Sequence, residues 1–204
     1  MSARIQRSFV FQAGTYFEGK FYMNMYDVEV YFSVETSSIR EQNIALDRIK
    51  FFLAETLANS IFIQDNEEQT IEKYLLADLK VCTLPDEPYD QIIGIMLMTK
   101  LNAIAEGRLL VTDISITSEL SDGVTVSHSF DENMGPFADE GWWNDSSNRI
   151  SGTTSTTKKS TKIVKLTKPS VDWADVFLAW ENEKDIVVPG TEVVFANFDS
   201  KNKK

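Results

Sequence analysis

Between Tyr26 and Phe32 the chain reads Tyr-Asp-Val-Glu-Val-Tyr-Phe, with Tyr26, Val28, Val30 and Phe32 at one parity and Asp27, Glu29 and Tyr31 at the other. Successive side chains of a strand point to opposite faces, so this period of two describes a strand with one apolar and one polar face. Such a strand needs cover on a single side, which an antiparallel sheet provides. The pattern extends from about Asn24 to Glu35. A first strand, about Arg4 to Ala13, carries Ile5, Phe9, Phe11 and Ala13 at one parity, and a loop around Glu18, Gly19 and Lys20 joins the two into a hairpin.

The period then changes. From Asn43 to Ser60, Ala45, Ile49, Phe52, Leu53, Thr56, Leu57, Ser60 and Ile61 recur at helical spacing and predict an amphipathic helix. Asn66 with Gln69 three residues on has the form of a capping box, opening a shorter helix with Ile71, Tyr74, Leu75 and Leu79 inward, which Thr-Leu-Pro-Asp-Glu-Pro breaks. A third helix is expected from Tyr89 to Glu106, stopped by Gly107. Two more strands follow, Leu109 to Glu119 and Val124 to Phe130, around the turn Ser121-Asp122-Gly123. The order strand, strand, helices, strand, strand predicts an α+β fold: an antiparallel sheet of two hairpins with helices packed on one face.

After Gly135-Pro136 the texture shifts, which places a domain at 1–136 and an accessory segment at 137–204. That segment holds Trp142 and Trp143 among acids, a polar Ser/Thr/Gly/Lys loop from Ser151 to Thr161, a helix expected from Val171 to Glu183 behind Ser170, and a last strand from Glu192 to Phe198. The net charge of −11 belongs to the first part: residues 1–136 carry 21 acids and 10 bases, residues 137–204 carry 10 of each. This argues against nucleic acid on the domain, because phosphate binding draws on clustered cations. Lys158, Lys159, Lys162, Lys165 and Lys168 form a basic stripe in the tail, read as solvated lysines or as a contact for an acidic partner.

One cysteine, Cys82, excludes an internal disulfide, and with one histidine, His128, it excludes zinc sites built from several cysteines or several histidines of this chain. Cys82 has no adjacent histidine or basic cluster and reads as inert; His128 shares a parity with Val124, Val126 and Phe130 and reads as packed. No apolar run approaches the roughly 20 residues of a membrane span, and the start has no apolar leader, so a cytoplasmic location is expected. Phosphate loops, a serine nucleophile elbow and a metal-binding His-Glu-x-x-His are absent.

Four strings carry a resemblance: Phe-Gln-Ala-Gly-Thr from Phe11 to Thr15, Tyr-Met-Asn-Met-Tyr-Asp-Val-Glu-Val from Tyr22 to Val30, the helix from Ala45 closing on Asn59 to Gln64, and the last hairpin from Ser118 to Phe130. In this layout residues 1–130 resemble the pterin-synthase branch of the tunnelling fold, the 6-pyruvoyl-tetrahydropterin synthase and 6-carboxy-tetrahydropterin synthase family. The resemblance implies that the three zinc-ligand positions are held here by Thr15, Tyr22 and Asn24, and the catalytic Asp-His positions by Asn59 and Ser60. No cysteine stands near Glu18 or Gly19, where the family has its nucleophile. Thr, Tyr and Asn are poor zinc donors, so no metal, no cofactor and no catalytic residue is expected. Glu119 matches the glutamate that in this fold anchors the cyclic amidine edge of a pterin or purine, a task suited to two parallel acceptor oxygens; it reads equally as a solvated turn residue.

Glu119, Tyr22, Asn24 and Thr15 are therefore the candidate ligand-binding residues. The reading that follows is a non-catalytic homo-oligomeric scaffold, or a binder of a pterin- or purine-like heterocycle. The alternatives are a structural or assembly component, virion-associated in one form, whose tail docks a protein partner, and an enzyme of metal-free chemistry using Glu119 with Lys20 or Tyr22.

Overall fold

A computed structural model describes residues 4–130 and 134–150, together with Trp173, Val176 and Leu178. Strands β1 (Arg4–Phe17) and β2 (Lys20–Val34) pair antiparallel along their whole length. Their turn is two residues, Glu18 and Gly19, both at positive φ (49° and 75°). That backbone matches the right-handed twist of the strands and is why glycine occupies the second place. Phe11, Ala13, Tyr26, Val28, Val30 and Phe32 are buried on the inner face, as the alternation requires.

Helix α1 (Ile39–Phe51) begins behind Ser38, whose Oγ accepts from the Glu41 N–H. It widens into a π-helical turn, Phe52–Leu57. Here the structure corrects the reading of a helix through Ser60 and Ile61. Ser60–Gln64 is a strand, β3, parallel to β1 with Gly14 opposite Ile61. Ser60, Ile61, Phe62 and Ile63 are all buried. A short run buried on both faces has no period to separate strand from helix, so its register against β1 decides.

Helix α2 (Glu68–Leu76) starts from Glu67 with no side-chain cap, so the expected Asn66 and Gln69 box is not formed. None of its residues is fully buried, and Leu79, read as inward, is 45% exposed. An unforeseen strand, β4 (Lys80–Leu84), follows and runs parallel to β3. The Lys80 ammonium donates to the carbonyls of Glu55 (2.6 Å) and Ala58 (3.1 Å), satisfying acceptors left open where the π-helical turn ends.

Helix α3 (Asp90–Ala105) crosses the inner face and ends with Glu106 and Gly107 both left-handed. At Gly94 it approaches the sheet so closely that a Cβ would lie 2.8 Å from the His128 ring, so this mid-helix glycine serves packing. Strands β5 (Leu109–Ser118) and β6 (Thr125–Ser129) complete a six-stranded sheet of order β4-β3-β1-β2-β5-β6. The expected α+β class stands, with the two hairpins extended by two parallel strands. The uncovered face is polar and laced by hydroxyls: Ser8 to Asp27, Ser115 to Ser127, Thr117 to Thr125 and Ser129 to Asp113.

Residues 134–150 fold back on α3. Phe137 and Ile150 are buried in the same core as the sheet, and the Trp173 ring packs edge-on to Phe51 with the Arg48 guanidinium over it. The helix expected at 171–183, the strand at 192–198, the polar loop and the lysine stripe lie outside the described residues, apart from Trp173, Val176 and Leu178. No helix among the described residues is long and apolar enough to cross a membrane.

Candidate functional site

The inward face of the β1–β2 hairpin is apolar until its last turns, where polar side chains replace it. Thr15 is 4% exposed and Asn24 2% exposed, values usual for leucine and unusual for an amide. The pairing that sets this is Ala13 opposite Asn24 and Thr15 opposite Tyr22. Both polar groups converge on Tyr26, one inward position deeper on β2. Its Oη lies 2.7 Å from Thr15 Oγ1, either oxygen serving as donor, and the Asn24 side chain stands near it. Asn24 Oδ1 in turn accepts from the Leu120 N–H at 3.3 Å. Burial pushes the Tyr26 phenol up to about 12 against the pull of these two neighbours, so the hydroxyl is protonated throughout the physiological range.

The N-terminus of α3 closes the far side with Asp90. Burial raises its carboxyl, opposed by nearby Ser118 and Ser121. Oδ2 of Asp90 and Oγ of Ser60 are buried without a hydrogen-bond partner among the described residues. A carboxyl whose folded pKa is raised binds more protons folded than unfolded once pH passes its ordinary value of 3.8. Stability therefore falls as pH rises through that window. Asp90→Asn, which does not titrate, is expected to gain on the natural protein as pH rises above 3.8 in paired urea titrations; a difference flat with pH refutes the buried carboxyl.

The four residues singled out from the sequence do come to one end of the sheet, in unequal roles. Thr15 and Asn24 are inside and already bonded. Tyr22 is half-buried across from Thr15. Glu119 is exposed in the single 3₁₀ turn Glu119–Ser121 that leaves β5, one residue before Leu120. The sequence ended β5 at Glu119; the structure ends it at Ser118, because the chain turns there to bring the Leu120 N–H onto Asn24. Asn59, matched to a catalytic aspartate, is exposed in a left-handed turn with its N–H on the Gln12 carbonyl at 2.7 Å.

Sequence reasoning missed Tyr26, which its parity disguises as core, and Asp90, whose only signal is its place as the first helical residue after Pro88-Tyr89. It also missed Lys100, among the described residues the one lysine 0% exposed. Cys82 is fully buried and its thiol pushed well up by burial, which suits an inert side chain. Among the described residues no group of three His, Cys, Asp or Glu side chains is placed to hold a metal ion. A cavity of about 30 Å³ near the hairpin turn, lined by Tyr16, Glu18, Gln64, Glu67 and Glu87, has room for about one water and not for a bicyclic ring.

No protein-family model matches the sequence, and no curated protein matches it either. Among solved structures, an uncharacterized protein from Wolinella succinogenes is similar at TM-score 0.49 and 10% identity, over 64% of this chain and 99% of that one. A catalytic-residue mutant of 6-pyruvoyltetrahydropterin synthase from Plasmodium vivax gives 0.40 and 10% over the same shares. The 6-pyruvoyl tetrahydropterin synthase of Plasmodium falciparum gives 0.38 and 11%, over 63% and 99%. The likeness is one of strand and helix layout and extends no further.

Proposed function

We propose that this chain is a non-catalytic scaffold on a pterin-synthase-like fold, in which an internal hydrogen-bond network fills the place of a reaction centre. The observation that carries the reading is the commitment of Thr15 and Asn24. At two of the three positions that the resemblance assigns to zinc ligands stand a neutral hydroxyl and a neutral amide. Their polar atoms are already satisfied by Tyr26 and by the Leu120 N–H. A neutral hydroxyl and a neutral amide are weak donors to zinc beside imidazole or thiolate, and turning them toward a metal would disturb these buried bonds. The function that remains is carried by surfaces, as a homo-oligomer or as a component docking a protein partner.

A second reading is favoured by one observation. Glu119 is exposed beside the turn that holds Asn24, so its two oxygens are free to meet the N–H edge of a purine or pterin supplied between subunits. Light scattering on the full chain tests the first reading: a discrete multiple of 23.1 kDa is expected, and a monomer at every concentration removes the homo-oligomeric scaffold. Calorimetry with pterin and guanosine separates the second. Heat that disappears in Glu119→Ala supports heterocycle binding, and no heat with either compound leaves the scaffold alone.

A further inference from the structure

Three residues far along the chain are set into the domain. Trp173, Val176 and Leu178 are 7%, 6% and 7% exposed and belong to the same apolar core as the sheet. The Val176 N–H donates to the Trp173 carbonyl at 3.2 Å, a single turn that ties these two anchors together. The Trp173 ring lies edge-on to Phe51 at 6.1 Å, the Arg48 guanidinium sits 5.3 Å from its centroid, and its indole N–H donates to the Ser146 carbonyl at 2.6 Å. A buried indole under a cation, with its N–H satisfied, is the usual form of an interface anchor.

The seat is braced by contacts of the domain itself. Arg48 and Phe51 stand three residues apart on the last turn of α1 and so share a side. Arg48 Nη1 donates to Glu106 Oε2 at 2.8 Å, the same oxygen accepts from Arg108 Nη1 at 2.6 Å, and Arg108 Nε donates to Glu41 at 2.8 Å. Ser146 lies between Asp145 and Ser147, whose carbonyls the Lys100 ammonium of α3 holds. A seat assembled from fixed elements costs little to organise when a ligand arrives.

The connection to the anchors is long. Ile150 is buried and four residues from Ser146, a gap of at most about 14 Å, while residues 151–172 can reach about 75 Å. The first half of that connection, Ser151 to Thr161, holds no apolar side chain to bury on the way. A connection of this length can present the anchors to their own seat or to that of an adjacent molecule. Exchange of an identical element between copies preserves every contact, which makes it a low-cost route to assembly.

We infer that Trp173, Val176 and Leu178 form a docking motif, and that the seat on α1 takes the motif of a second copy of this chain, so that exchanged tails join one subunit to the next. The inference rests on the homo-oligomeric form of the function proposed above and supplies the joint between its subunits.

The test uses the full chain. Light scattering compares the natural protein with Trp173→Ala, and fluorescence anisotropy follows a labelled synthetic peptide of residues 168–183 added to each. A smaller mass is expected for Trp173→Ala at concentrations where the natural chain is a multiple of 23.1 kDa. The peptide should bind the variant, whose seat is vacated, at least about ten-fold more tightly than the natural chain, and a peptide carrying Trp173→Ala should lose at least about ten-fold in affinity. Amide hydrogen exchange over the β1–β2 hairpin checks the fold: if Trp173→Ala loses protection there, Val176→Ala, which keeps the indole, is read in its place. An unchanged mass in the variant overturns the exchange and leaves the scaffold reading standing, since the copies are then joined elsewhere. A natural chain that is monomeric at every concentration overturns both, and peptide binding then places the motif in its own seat only. No binding to a folded variant assigns the three residues to core packing and also overturns the inference.

Discussion

Lys100→Met should lower the unfolding free energy by about 2 kcal/mol at pH 7 and by more at pH 10, and the growth with pH is the informative part. Methionine keeps most of the stem volume, so the change isolates the ammonium. Three carbonyls lose their donor, a loss on the order of 5 kcal/mol if none is rehydrated. Against this stands the burial of a charge. Burial draws Lys100 from 10.5 down to about 8, a penalty of about 3 kcal/mol on the protonated form. Below pH 8 both folded and unfolded chains hold the proton and the full penalty applies. Between pH 8 and 10.5 the folded chain has released its proton while the unfolded chain keeps it, so this contribution to stability rises with pH. Methionine has no such term; Cys82 and Asp145, which interact with the ammonium, are the groups whose titration the substitution also changes, while more distant groups cancel. Paired guanidinium titrations at pH 7, 8.5 and 10 read the difference. A gap that stays constant or narrows contradicts a buried, depressed lysine.

Tyr26→Phe should cost about 2 kcal/mol, although phenylalanine fills the same space and keeps the stacked contact with Phe11 at 5.2 Å and the edge contact with Phe62 at 5.7 Å. What disappears is one oxygen at the centre of a buried network. Thr15 Oγ1 is left facing it without a partner, and an unpaired buried polar group costs about 1–3 kcal/mol. The second mutation makes the argument specific. On a Thr15→Val background the same change should cost about 1 kcal/mol, because the stranded hydroxyl is already gone, giving a coupling of about 1 kcal/mol. Equal costs on both backgrounds, by urea denaturation, would mean that the 2.7 Å contact contributes nothing. A network that costs this much to break is a filled site, which is what the proposed loss of catalysis requires.

These two residues also mark where the sequence stops being informative. Tyr26 was legible as an inward strand residue from parity alone, because a period of two is a local property of the chain. That its hydroxyl gathers Thr15 and Asn24 was not, since the meeting depends on the register of two strands set by a two-residue turn at Glu18 and Gly19. Lys100 was invisible for a similar reason. A lysine among Met96, Leu97, Leu101 and Ile104 reads as the polar edge of a helix face, and only a loop more than forty residues later supplies its acceptors.

By itself, then, the chain determined its hairpins, its long third helix and the α+β class, because alternation and helical spacing express each element's need to bury one face. It determined also which residue types stand at that end of the hairpin: hydroxyl, amide and phenol. Tertiary structure alone decided that Ser60–Gln64 and Lys80–Leu84 are parallel strands, because runs buried on both sides carry no period. It decided as well that Thr15 meets the Tyr26 hydroxyl and Asn24 the Leu120 N–H, and that the segment after the last hairpin packs on α3. Each of these rests on contacts between groups far apart in the chain, where no local pattern constrains the partner.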